Sequence, residues 1–214
     1  MKMKQLTPET LESRIVFIPV GMIEAHGSHL PLGTDTYIAE HLAKLGAEAV
    51  DGVVAPSVHY GTTTNIQEYG TIDICPKVFQ AYIESLITEF LRHFETIVFV
   101  NGHAGNSKPL YDAIRNATPK DAGDTVILFN WFDTVHLVSD HAGPNETAVM
   151  RRCNPGLVGK ENYEHSRMSM KGFSVYPSGT SIVKVPKPPE PDGNTPLGFD
   201  AMVQAFIKGL EKVV

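Results

Sequence analysis

Glu24, His26, His29 and Asp35 fall within twelve residues, in the run Glu24-Ala25-His26-Gly27-Ser28-His29-Leu30-Pro31-Leu32-Gly33-Thr34-Asp35. Carboxylate oxygen and neutral imidazole nitrogen are the donors that a divalent metal ion takes. Glu24 and His26 are two apart, so an extended segment projects both to one side. Asp35 follows a turn containing Pro31 and Gly33, which lets the chain fold back towards them. A carboxylate so placed can bridge two ions through its two oxygens. Taken singly, each of these groups is read as a loop residue or a cap. Clustered, they repel or bury charge unless a cation compensates them, which makes the run a candidate metal site.

Two further polar segments follow apolar runs. Asn101-Gly102-His103-Ala104-Gly105-Asn106 comes after Ile97–Val100, and Asp140-His141-Ala142-Gly143-Pro144-Asn145-Glu146-Thr147 lies beyond Val126–Trp131. His103 stands between Gly102 and two small residues, where backbone can approach an ion closely. Glu146 falls in the first turn of an expected helix with Pro144 near its start. A rival reading gives Asn101–Asn106 to a phosphate. The loop lacks the Lys-Ser/Thr ending of a P-loop and the third glycine of a dinucleotide fingerprint, so that reading is the weaker one. No Gly-x-Ser-x-Gly elbow supports a serine hydrolase. His41 and His93 lie inside helical patterns and are expected at the surface, His136 is read as a loop histidine, and His59 and His165 are ambiguous.

These segments need a frame that gathers them. Strands are expected at Ile15–Val20, Val53–Val58, Thr96–Asn101 and Thr125–Trp131. Helices are expected at Thr36–Val50, Lys77–Phe94, Ser107–Ala117, Asn145–Cys153 and Leu197–Val214, each from apolar residues recurring at helical spacing. Alternation of the two predicts an α/β fold, a three-layer α/β/α sandwich around a mostly parallel sheet. The strand ends then lie on one edge, where three distant segments converge. The stretch from Lys184 to Gly193 holds four prolines and is expected to be a surface loop. A length of 214 residues fits one domain over 1–214.

Composition excludes several classes. A formal charge of -6 leaves no basic footprint for nucleic acid. No apolar segment reaches the roughly 20 residues that span a bilayer. The basic N-terminus leads into no signal core, so a cytoplasmic protein with Cys75 and Cys153 as reduced thiols is expected.

The three segments together resemble the creatininase (creatinine amidohydrolase) family: Glu24-x-His26-Gly-x-His29-Leu-Pro-x-x-Thr-Asp35, then Asn101-Gly-His103-x-Gly-Asn106, then His141-Ala-Gly-x-x-Glu146-Thr147, in the family's order. The resemblance implies an α/β/α fold, a centre of two divalent metal ions (zinc, manganese or iron) and a homo-oligomer, often a hexamer. It implies hydrolysis of C–N bonds: ring opening of creatinine, deformylation of a formamidopyrimidine nucleotide, or peptide trimming in mycofactocin maturation. One branch acts on a cyclic inositol-derived ketone. By position, Glu24, His26, Asp35 and His103 match metal ligands, with Asp35 as the bridge. His141 and Asp140 match the region of the catalytic histidine and a neighbouring acid. His29 and Asn106 are expected to orient ligands by hydrogen bonds or to face substrate.

Three positions depart from that pattern. Creatininase has a glutamate where this chain has Gly105, and Glu146 is the natural replacement. Asn65-Ile66 stand where many relatives carry an acid and a histidine. The tryptophan beside the catalytic histidine is absent, Trp131 being the only one, which disfavours creatinine as substrate. The expected activity is therefore metal-activated hydrolysis of a non-peptide C–N bond, a cyclic amide or formamide. In that chemistry His141, held by Asp140 or another acceptor, protonates the leaving nitrogen. Alternatives are a hydrolase or isomerase of a cyclic polyol ketone at the same centre, and a catalytically silent metal-binding subunit.

Overall fold

The computed structural model describes residues 1–63, 68–119, 125–133, 140–163, 167–168 and 199–213. Its sheet has four parallel strands in the order β2-β1-β3-β4: β1 is Ile15–Val20, β2 Val53–Val54, β3 Thr96–Asn101 and β4 Thr125–Asn130. β1 and β3 pair over their whole length from Ile15↔Thr96 to Val20↔Asn101, and β3 continues onto β4 as far as Asn101↔Asn130. Every residue of β3 is buried, as a central parallel strand covered on both faces requires.

Alternate side chains of these strands enter two separate cores. Phe17, Val98, Val100, Ile127 and Phe129 pack with α1 (Thr34–Ala49), α4 (Pro144–Cys153) and α5 (Phe199–Leu210). Val16, Ile18, Ile97, Phe99, Val126 and Leu128 pack with α2 (Pro76–Phe90) and α3 (Ser107–Ala117). The α/β/α layering expected from the sequence is present. A short antiparallel pair, β5 (Asp140–His141) with β6 (Arg167–Met168), stands apart from the main sheet.

Boundaries differ from expectation where local chemistry intervenes. Strand pairing at 53–58 is regular only for Val53–Val54; Pro56 cannot donate to a ladder, and contact resumes as one bridge between Val20 and Val58. β4 stops at Asn130, and Trp131–Asp133 form a 3-10 turn. α2 ends at Phe90 rather than Phe94. α1 starts at Thr34, two residues early, with the Thr34 hydroxyl donating to the Pro31 carbonyl at 2.7 Å. His93 and His59 are exposed, and His41 is half-buried against Phe199. Cys75 and Cys153 are free thiols, and burial pushes Cys153 up to about 12. Among the described residues no helix is long and apolar enough to cross a membrane. Asn65-Ile66, His136, His165 and the Lys184–Gly193 stretch lie outside the described residues.

Candidate metal centre

Because the strands are parallel, the residues following β1, β3 and β4 emerge on one edge of the sheet. The first turn of α1 is pressed onto that edge. A Cβ on Gly102 would stand 2.0 Å from the Asp35 carbonyl oxygen, so only glycine lets β3 end this close to the helix that carries Asp35. Asn101, the last residue of β3, accepts the His103 N–H at 3.1 Å and donates to Asn130 Oδ1 at 2.9 Å. Trp131 Nε1 donates to the Gly102 carbonyl. The loop bearing His103 is thus pinned on both sides.

Glu24, His26, Asp35, His103 and Glu146 meet in the interior, each at most 7% exposed. His103 Nδ1 lies 3.0 Å from Glu24 Oε1 and 3.2 Å from Asp35 Oδ2. His26 Nε2 lies 3.3 Å from Asp35 Oδ1, 3.6 Å from Glu146 Oε2 and 3.8 Å from Glu24 Oε1. Asp35 therefore turns one oxygen to each imidazole. His26 Nδ1 is 3.1 Å from the Glu24 carbonyl, which can only accept, so this nitrogen carries a proton and Nε2 is the atom available to an ion.

The donor atoms suit an ion. Both Glu24 carboxylate oxygens, His26 Nε2 and Asp35 Oδ2 are buried with no hydrogen-bond partner. Desolvating ionised groups costs several kcal/mol each, so five such side chains facing one another call for a compensating cation. Among the described residues, ligand atoms lie within 4.8 Å of one another in three groupings: Glu24, Asp35 and His103; His26, Asp35 and Glu146; and Glu24, His26 and His141. The first two share Asp35.

In the metal-free protein, protons take the place of cations. Burial pulls His103 down, but Asp35 and Glu24 more than offset it and hold the imidazole at about 10. Burial likewise opposes His26, while Glu146 and Asp35 raise it well above its ordinary value. Burial works against Asp35 too, yet His26 and His103 hold it far below the usual carboxylate range. Burial, then the charge of Asp35, raises Glu24. A raised imidazole stabilises the folded state fully below its unfolded value, about 6.5. For His103 that contribution is lost as pH climbs through about 10. The melting temperature of the chelator-treated protein should fall across that window. Metal binding near pH 7.5 should release at least about one proton per chain, read from calorimetric titrations in buffers of different ionisation heat. Absence of proton release would contradict the protonated His103.

The remaining candidates separate by their contacts. His141, 20% exposed at its side chain, places Nε2 2.7 Å from the Ala25 carbonyl and Nδ1 3.6 Å from Glu24 Oε1. Its ring lies 4.4 Å from that of His26. The acceptor that holds it is Ala25, since the Asp140 carboxylate receives the N–H groups of Asn145 and Glu146. Burial raises Asp140, with those N–H bonds opposing. His29 lies behind Glu146, its Nε2 2.9 Å from Thr147 Oγ1. Asn106 spends its amide on backbone, accepting from Thr62 N–H and donating to the Gly21 carbonyl, both at 2.9 Å. Through these two contacts it fastens the loop. A Cβ at Gly105 would lie 2.3 Å from the Thr62 carbonyl oxygen and 2.5 Å from His103 Nε2, so no side chain fits there. Glu146, carried by α4, faces His26 at 3.6 Å.

Sequence reasoning missed Asn101, Asn130, Thr147 and the Ala25 carbonyl. Asn101 and Asn130 each end an apolar strand, and pairing the two strand ends in register would have exposed them. The Ala25 carbonyl is main chain and leaves no mark in residue type.

A family model described as Creatininase: Creatinine amidohydrolase matches residues 1–198. The chain belongs to the creatininase family. It is 38% identical over 158 residues to the mycofactocin precursor peptide peptidase of Mycolicibacterium smegmatis, an alignment covering 67% of this chain and 60% of that protein. The chain thus spans about 60% of the length of the mycobacterial relatives it matches. It is 29% identical over 154 residues to the 3-dehydro-scyllo-inosose hydrolase of Thermotoga maritima, covering 69% of this chain and 49% of that protein. A creatinine amidohydrolase crystal structure superimposes with a TM-score of 0.72 at 19% identity, over 98% of this chain and 95% of that one. Solved creatininase structures include zinc–zinc and manganese forms.

Proposed function

We propose that this chain is a metal-dependent amidohydrolase with a dinuclear centre, carried on a single domain, that cleaves a C–N bond of a small amide. The observation carrying this reading is Asp35, whose two oxygens face two ligand groupings, Glu24 with His103 and His26 with Glu146. The mixed oxygen and nitrogen donors suit zinc, manganese or iron.

Bound in these groupings, two divalent ions would bring a shared water towards a neutral pKa and polarise the scissile carbonyl. The chain's own groups do the rest. Glu24, Asp35 and Glu146 supply the negative charge that holds cations in a buried place. The Nδ1 proton on the Glu24 carbonyl keeps His26 Nε2 free to ligate. His141 keeps one proton on Nε2 against Ala25, so the proton it gives to a leaving nitrogen sits on Nδ1, the atom turned towards Glu24. It is the ionisable group of the cluster that reaches solvent, from which it can be reprotonated.

Glu146→Gln tests the ligand set. The amide keeps the shape but loses charge and donor strength, so one of two metal equivalents should bind about 10-fold or more weakly while the other is unchanged. Competitive zinc titration reads this directly, and two unaltered sites would remove Glu146 from the ligands. The activity itself is tested by assaying metal-loaded protein for amine release from cyclic amides, N-formyl compounds and short peptides. A wild-type metal-to-protein ratio near zero would overturn the reading.

A second reading, a peptide bond as substrate, is favoured by the 38% identity to a precursor peptide peptidase; the short peptides of that panel distinguish it. A hydrolase acting on a cyclic polyol ketone draws on the Thermotoga maritima relative. Assembly as a homo-oligomer, the expectation that the family resemblance sets, is read by light scattering.

A further inference from the structure

Asp140 and His141 are chain neighbours, which invites the carboxylate to serve the imidazole. Their contacts divide them. Both Asp140 oxygens are engaged by main chain at the start of α4: Oδ2 accepts from Asn145 N–H at 2.8 Å and Oδ1 from Glu146 N–H at 3.0 Å. Those are donors of a first helical turn, which have no partner within the helix. Gly143, the residue flanking α4, has no side chain to cap with. The chain reaches this arrangement through Ala142, at φ +54° in the left-handed region that non-glycine residues rarely adopt. At Gly143 a Cβ would stand 2.4 Å from Asp140 Oδ2.

These contacts close a ring around one ligand. Asp140 holds the N–H of Glu146, and the Glu146 side chain returns to the Ala142 N–H at 2.7 Å through Oε2. The same oxygen lies 3.6 Å from His26 Nε2. We propose that Asp140 is a positioning residue for Glu146: by fixing the first turn of α4 it sets the carboxylate that completes the grouping of His26 and Asp35, and it acts on that ion rather than on the proton of His141. The inference rests on the dinuclear reading above.

Competitive zinc titration of metal-free wild type, Asp140→Ala, Asp140→Asn and Asp140→Ser tests it, with circular dichroism of each. Wild type should bind two equivalents. Asp140→Ala should keep its helicity and weaken one equivalent by about 10–100-fold, the usual loss when an outer partner of a ligand is removed, leaving the other unchanged. Asn and Ser both accept helix N–H groups, so these variants should recover most of the affinity. Unaltered affinity at both sites with reduced turnover in Asp140→Ala would return Asp140 to the service of His141. Equal weakening at both sites, or no recovery with Asn, would make it a general structural residue; either overturns the inference. A wild type that binds fewer than two equivalents overturns the dinuclear reading itself. If Asp140→Ala does not fold, Gly143→Ala replaces it. The added methyl meets the Asp140 carboxylate and should weaken the same single equivalent, and unchanged affinity there overturns the inference.

Discussion

Asp35→Ala should strip both ions and abolish turnover. Asp35 is 1% exposed and gives one oxygen to the His26 side of the centre and the other to the His103 side, at 3.3 and 3.2 Å. Loss of an outer hydrogen-bond partner already weakens a metal site by about 10–100-fold, so loss of a shared ligand should exceed about 100-fold at each site. The substitution also removes the anion facing two imidazoles, and breaking such a buried pair costs about 3–5 kcal/mol. That cost falls on the metal-free protein below about pH 10, where His103 is protonated. Elemental analysis and denaturant unfolding of the same preparation separate the two effects, with Asp35→Asn as the variant of conserved volume. Metal content within twofold of wild type would end the bridging assignment.

His141→Ala should do the opposite: both ions stay, and turnover falls by about 10²–10⁴, the range for losing a general acid or base. The side chain is bonded through Nε2 to the Ala25 carbonyl and faces Glu24 with Nδ1. Its removal leaves Asp35, His26, His103 and Glu146 with their mutual distances. A limb of the pH–rate profile present in wild type should vanish in the variant. The grouping of Glu24, His26 and His141 offers the rival outcome, in which an ion leaves with the imidazole and His141 is a ligand. An unchanged rate would reduce it to a structural role.

The frame was legible because parallel strands carry their pattern openly. Ile15–Val20 and Thr96–Asn101 are short runs of β-branched and aromatic residues, and both appear with the bounds expected. The residues of the candidate centre were legible for a related reason: ionisable side chains collected after apolar strands bury charge together unless a cation compensates them. What stayed hidden depends on main chain. The Ala25 carbonyl that orients His141 and the N–H groups that engage Asp140 are the same in every residue type. The truncated β2 follows from Pro56 and could have been foreseen from its missing donor. Asn106, expected to serve ligands or substrate, instead ties Thr62 to Gly21, because an asparagine between two loops satisfies backbone as readily as it meets a ligand.

The centre draws on two distant stretches of the chain: α1 pressed onto the strand ends, with Gly102 against the Asp35 carbonyl, and α4. Glu24, His26, Asp35 and His103 belong to or follow β1, α1 and β3, the paired and buried centre of the fold. Glu146 hangs from α4, a ten-residue helix that packs on the core through Val149 and Met150 and meets the segment after β1 through the Thr147–His29 hydrogen bond. A bound ion would therefore staple the late part of the chain to the early part across more than a hundred residues of sequence. A ligand present at 1,000 times its dissociation constant adds about 4.1 kcal/mol to the state that binds it. Chelation would withdraw that staple, and the amide hydrogens of α4 should then exchange faster than in the metal-loaded protein. Metal supply would then govern how long the folded chain survives as well as how fast it works.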